Sequence, residues 1–294
     1  MSSNFQSPEF FNHPQSKTKE AIGMPEDEGL DYLEKLQEGT ERDLIAKSLA
    51  GVDNERAWKI REALLEENSN KDSLALSLAG LDSERVWEMR EKLLKEGYGD
   101  SVAISLAGLD DERAWEMRER LIGEKINKDS LALSLTSLDS ERAWEMREEL
   151  LKEGYGDSVA ISLAGLDDER AWEMRERLLK GMANPGSIAR SLAGLNSEKA
   201  WKMREKTLRF GADRDQVAIS LAGLDDERAW EMRSRLLEEG AEKNEVALGL
   251  AGLNSEKAWK MREMLLEKGA QKGSIAQGVF GIYCTNPKII LKHH

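Results

Sequence analysis

Apolar residues in this chain recur with a helical beat rather than an alternating one. In residues 139–154, DSERAWEMREELLKEG, the side chains of Ala143, Trp144, Leu150 and Leu151 share a face when successive residues are placed about 100° apart, and charged residues fill most of the rest. That pattern predicts an amphipathic helix. Asp139 stands where an N-cap oxygen is wanted, and Gly154 follows the last turn, where a left-handed residue ends many helices. One residue breaks the apolar stripe. With Trp144 set to zero, Arg147 projects at about 300°, between Leu150 at about 240° and Leu151 at about 340°.

A shorter amphipathic segment, about ten residues long, precedes each such helix. Over residues 73–81, Leu74, Leu78 and Leu81 share a core face, with Ala75 and Ala79 on one flank and Ser73, Ser77 and Gly80 on the other. Small flanks predict close packing between neighbouring short helices. The helix pair then recurs along the chain. Its eight tryptophans, Trp58, Trp87, Trp115, Trp144, Trp172, Trp201, Trp230 and Trp259, lie 28 or 29 residues apart, and none stands outside this ladder. Residues 70–121 and 127–178 match except at four positions, the mark of a duplicated two-repeat block.

The punctuation repeats too. N-caps of the long helices are expected at Asp53, Asp82, Asp110, Asp139, Asp167, Asn196, Asp225 and Asn254, and short helices often start at another Asp cap, such as Asp72, Asp100, Asp129 or Asp157. Gly97, Gly154, Gly211, Gly240 and Gly269 follow long helices. Neither helix holds alone at such lengths, so stacking on neighbouring repeats has to supply the core. The expected fold is all-α: a right-handed α-solenoid of about eight two-helix repeats with capping helices at both ends. Residues 1–25, polar and Pro-containing, read as a disordered tail, and residues 26–39 as an N-terminal capping helix. Residues 40–272 hold the eight repeats, and residues 273–294 a C-terminal half-repeat and cap.

Units of the form SLAGLDSERAWEMRE resemble the general α-solenoid class, which includes tetratricopeptide, HEAT and armadillo arrays. The likeness is architectural, covers roughly residues 40–282 and carries no binding residue across. The period of 28–29 residues is shorter than is usual in those families, and the tetratricopeptide signature residues are absent. The resemblance implies a scaffold for proteins or peptides, and in some members a modular nucleic-acid reader.

The arginine inside the stripe recurs as Arg61, Arg90, Arg118, Arg147, Arg175, Arg204, Arg233 and Arg262. An unpaired buried cation is too costly to repeat eight times, so partners are required. The Asp caps of the short helices are the nearest candidates by sequence, and the neighbouring indole can stack on the guanidinium. These arginines are therefore expected to be structural clamps, with a phosphate-gripping ladder as the alternative. The tryptophans are likewise expected in the core rather than as a platform for bases.

One position of the short helix varies where the rest is uniform. Its occupants are Lys47, Leu76, Ile104, Leu133, Ile161, Arg190, Ile219, Leu248 and Gln277, six of them aliphatic. The position projects away from the core leucines, which predicts an aliphatic stripe along the inner curve, and contiguous exposed apolar surface marks interaction sites. These nine residues are the candidate partner-binding set, and the partner expected is a protein or peptide, helical or extended. Filling space against the next repeat is the plainer role for the same side chains.

Charge agrees with a protein partner. The chain carries a formal net charge of -13, which argues against a broad phosphate-binding surface, although Lys71, Lys128, Arg214, Lys243 and Lys272 form a thin basic edge before short helices. Nucleic-acid binding and self-assembly are the alternatives. Histidines occur only at positions 13, 293 and 294 and the single cysteine is Cys284, so no metal centre, cofactor or enzymatic nucleophile is expected. The opening residues lack a basic and then apolar leader, and no apolar run is long enough to span a bilayer, so a cytoplasmic location is expected.

Overall fold

The computed structural model describes residues 49, 53–66, 70–271 and 274–275. Among these residues fifteen helices alternate long and short. They are α1 (Glu55–Glu66), α2 (Lys71–Leu76), α3 (Glu84–Lys95), α4 (Gly99–Ser105), α5 (Glu112–Gly123), α6 (Lys128–Ser134), α7 (Glu141–Lys152) and α8 (Gly156–Ser162). The series continues with α9 (Glu169–Leu179), α10 (Pro185–Arg190), α11 (Glu198–Arg209), α12 (Arg214–Ile219), α13 (Glu227–Glu238), α14 (Lys243–Leu248) and α15 (Glu256–Glu267). The architecture is all-α and solenoid-like, with contacts running from each repeat to its neighbours. The tail, the capping helix, Lys47 and Gln277 lie outside the described residues. Of the C-terminal half-repeat only Ser274 and Ile275 are described, both helical, with Ile275 buried.

Short helices are shorter than the apolar pattern suggested. Each α-helical stretch runs six or seven residues and then tightens. In the first, Leu78 N donates to Ala75 O, Ala79 N to Leu76 O and Leu81 N to Leu78 O, three-residue bonds that hold Leu78 and Leu81 on the core face. Glycine closes this turn in the left-handed region, as at Gly80 (φ 76°) and Gly108 (φ 82°); Ser137 (φ 64°) takes the same role in the one repeat that lacks it. The glycines after long helices are also left-handed, for example Gly97 at φ 93° and Gly154 at φ 96°.

The long-helix caps differ from expectation by one residue. The N-cap is Ser83, Asp111, Ser140, Asp168, Ser197, Asp226 or Ser255, each one position after the residue read from sequence. Asp111 Oδ1, for example, accepts from Ala114 N at 3.0 Å. Short-helix starts are shifted as well. The caps are Asn70, Tyr98, Asn127 and Tyr155, each two residues ahead of Asp72, Asp100, Asp129 and Asp157. Those aspartates instead tie one repeat to the next. Asp72 Oδ1 accepts from Ser101 Oγ at 2.7 Å, and Asp100 Oδ1 from Asn127 N at 2.8 Å.

Two layers result. Each short helix packs directly on the short helices before and after it. The approach is close enough for main-chain bonds between repeats: Gly194 N donates to Ala222 O at 3.0 Å and Gly223 N to Ala251 O at 2.8 Å. Ala193, Ala222 and Ala251 stack beside these bonds, which is what the small flanks permit. Long helices instead meet their equivalents through long charged side chains. Arg113 reaches Glu84 at 2.6 Å, Arg170 reaches Glu141 at 2.7 Å and Arg228 reaches Glu198 at 2.8 Å. The short helices thus form a tightly packed layer and the long helices a looser one. The apolar core runs as a seam between the layers.

Candidate functional site

The recurring arginine is buried, as the stripe implied, but its partners are not carboxylates. Arg118 is typical. Its Nη2 donates to Leu106 O at 2.8 Å, Leu109 O at 2.9 Å and Ser134 O at 2.9 Å, and its Nε to Ser134 Oγ at 3.1 Å. Leu106 caps the C-terminus of α4, and Ser134 is the last residue of α6. Each guanidinium from Arg61 to Arg233 therefore sits between the C-terminal ends of two consecutive short helices. Carbonyls there lack the ordinary α-helical donor, Leu106 O accepting only from Leu109 N of the tightened turn, and the partial negative charge of both helix ends faces the cation. The expectation of pairing with short-helix Asp caps placed the arginine at the wrong end of the short helix. The same arrangement recurs at Arg147 and Arg175.

Desolvation by burial lowers Arg147 to about 9 and Arg118 to about 10, so both stay charged at neutral pH. Trp144 lies under the Arg147 guanidinium, 4.6 Å from its carbon to the ring centroid, and Arg170 of the next repeat covers the ring at 4.8 Å. The indole N–H is satisfied by the residue read as the N-cap. Trp144 Nε1 donates to Asp139 Oδ1 at 2.8 Å, and Trp201 Nε1 donates to Asn196 Oδ1 at the same distance. The tryptophans, their arginines and the preceding Asp or Asn are thus committed to packing and register. Trp58, Trp87, Trp115, Trp144, Trp172, Trp201 and Trp230 are buried, in the core rather than on a stacking platform.

The variable position of the short helix is less open than a single-helix projection implied. Leu76, Ile104, Leu133, Ile161 and Arg190 are half-buried, while Ile219 and Leu248 are 7% and 6% exposed. The cause is the close approach of successive short helices, which a projection of one helix does not contain. An accessible aliphatic row therefore survives in α2, α4, α6 and α8 and closes over beyond Arg190. Beside this row Asp72, Asp100 and Asp157 are exposed.

The basic edge is mostly spent. Lys71 pairs with Glu96 at 2.6 Å, Lys128 with Glu153, and Arg214 with Glu239 at 3.1 Å; Lys272 lies outside the described residues. Among the described residues no group of His, Cys, Asp and Glu could hold a metal ion, and no helix is long and apolar enough to cross a membrane. Sequence reasoning missed a different surface, the groove between the long helices α9 and α11. It is lined by Trp172, Met203 and a set of lysines, and the signal was available: α11 reads EKAWKMREKTLR where α5, α7 and α9 read ERAWEMRE. No family model, curated protein or solved structure matches this chain, which stands as a tandem helical-repeat protein of 28- to 29-residue period.

Proposed function

We propose that this chain is a non-enzymatic repeat scaffold that binds a protein or peptide segment along the inner row of short helices. The observation that carries the reading is the run of half-buried aliphatic side chains Leu76, Ile104, Leu133 and Ile161 in four successive repeats. They are not needed to complete the leucine seam, which Leu74, Leu78 and Leu81 and their equivalents already fill. A partner helix can lay an i, i+3, i+4, i+7 stripe on such a row. The exposed Asp72, Asp100 and Asp157 favour a partner with basic flanks. Nucleic acid is disfavoured because Lys71, Lys128 and Arg214 are occupied by glutamates and because aliphatic residues do not read base edges.

The test uses amphipathic helical peptides selected from a displayed library on the wild-type chain and then measured on Ile104→Ser/Leu133→Ser/Ile161→Ser. Affinity is expected to fall by about tenfold or more while cooperative unfolding is retained. Peptides that bind the triple variant equally well contradict the proposal. So does a triple variant that fails to fold, because these side chains would then be core.

A further inference from the structure

The accessible row on the short helices is one unit used twice. In α2 and α4, Asp72 stands four residues before Leu76 and Asp100 four before Ile104, a spacing that puts each carboxylate on the helix face of its aliphatic neighbour. In α6 and α8 the same relation joins Asp129 to Leu133 and Asp157 to Ile161. The surroundings repeat as well. Ser101 Oγ donates to Asp72 Oδ1 at 2.7 Å and Ser158 Oγ to Asp129 Oδ1 at 2.5 Å. Asp100 Oδ1 accepts from Asn127 N at 2.8 Å and Asp157 Oδ1 from Asn184 N at 2.6 Å. Lys71 and Lys128, each beside the first aspartate of its unit, are both paired with glutamates. Among the described residues none of the four aspartates is in an ion pair.

The four differences between residues 70–121 and 127–178 leave this surface alone. Val86 and Ala143 are buried in the core, and Lys92 and Glu149 belong to long helices. Thr136 and Ser137, in place of Ala79 and Gly80, turn their hydroxyls to main-chain carbonyls, Leu133 O at 2.6 Å and Ala164 O at 2.7 Å. Beyond α8 the unit stops. In α10, Gly186 takes the place of the aspartate and Arg190 that of the aliphatic residue. In α12 and α14 the aliphatic residues Ile219 and Leu248 are buried. Among the described residues the array therefore holds two accessible copies of the unit, one directly after the other.

We propose that the row is two equivalent docking units in tandem, and that its partner carries one short segment, apolar with basic flanks, twice in the same direction. This rests on the reading of the row as a docking surface and adds the number and order of its sites. Equivalent side chains in equivalent surroundings bind the same segment with the same intrinsic affinity. The units succeed one another as consecutive repeats of one solenoid, so they share a direction, and so do the segments bound to them. Corresponding points lie two repeats apart, roughly 20 Å at the usual helix-packing distance, a length that about 13 helical residues span. Once one copy is bound, a linked second copy docks at high effective concentration, so a partner with two copies outcompetes a partner with one.

The probe is a helical peptide of about 14 residues from the library selected on the wild-type chain, titrated calorimetrically against the full chain. Two peptides per chain are expected. Leu76→Ser/Ile104→Ser and Leu133→Ser/Ile161→Ser are each expected to leave one site, its affinity unchanged within about twofold. Asp72→Asn/Asp100→Asn keeps the acceptor oxygens and the apolar contacts, and is expected to weaken one site by about threefold or more while sparing the other. Two copies of the peptide joined by about twelve Gly and Ser residues, which reach roughly 20 Å, are expected to bind at least about tenfold more tightly than one. Either serine pair abolishes that gain. A stoichiometry of one, with binding lost in both serine pairs, overturns the proposal and leaves the docking reading standing. A tandem peptide that gains nothing also overturns it. Peptides that bind a chain carrying all four serines as well as the wild type overturn the docking reading itself.

Discussion

Arg147 has no exposed surface and no carboxylate in hydrogen-bond contact; its partners are carbonyls and a serine hydroxyl. Removing the side chain strips Leu135 O and Ser162 O of their charged donor, leaving them the backbone N–H groups of Leu138 and Ser137, and opens a cavity above Trp144. Arg147→Ala is expected to cost about 2–4 kcal/mol in urea unfolding, and Arg147→Lys to recover little, since one ammonium cannot span acceptors on two helices. A natural variation tests the same contact. At Gly249 the usual serine is missing, and Arg233 Nε has no hydrogen-bond partner among the described residues. Gly249→Ser would restore the consensus, yet its Cβ would lie 2.1 Å from Ala218 O. Loss of stability is therefore expected from a substitution that matches the other repeats; a higher melting temperature would contradict the close approach of α12 and α14. Asp139→Asn is expected to be nearly neutral by the same unfolding assay, because Asn196 and Asn254 already accept from their indoles.

At the scale of elements, the long helices are joined by exposed ion pairs, each of which contributes little alone but recurs along the array. Hydrogen bonds from Arg113, Arg170 and Arg228 hold the carboxyls of Glu84, Glu141 and Glu198 below their ordinary value of 4.5. A carboxyl whose folded value is depressed stabilises fully above its unfolded value and loses that contribution as pH falls through the folded one. The melting temperature is thus expected to decline as pH drops below about 4.5, and to fall in 1 M salt, where screening acts within about 3 Å. Superimposable melting curves from pH 6 to 3 would show the ladder to be inert. Much of this layer was legible in sequence. The tryptophan spacing gave the period, and glycine gave the helix ends. The caps were misread because two cap-forming residues stand side by side, as in Asp110-Asp111, and the first is drawn to an indole five residues on. The burial of Ile219 and Leu248 was not legible, because it depends on the distance between repeats rather than on the face of one helix.

Across the whole molecule, each repeat touches its neighbours and the same contacts recur, so stability should add from repeat units and their interfaces. The duplicated block offers a direct test. Asp100 Oδ1 accepts from Asn127 N at 2.8 Å, and Asp157 Oδ1 accepts from Asn184 N at 2.6 Å. Arg118 reaches Ser134 as Arg175 reaches Ser191. Deleting residues 127–183, which joins Ile126 to Asn184, therefore leaves Asp100 and Arg118 with equivalent partners. Urea unfolding of this deletion, followed by circular dichroism, tests the account most directly. A cooperative transition, an undiminished helical signal per residue and an m-value lower by about a fifth are the predicted result. A chain that fails to fold, or loses helix out of proportion to the residues removed, would contradict a solenoid held together by neighbour contacts alone.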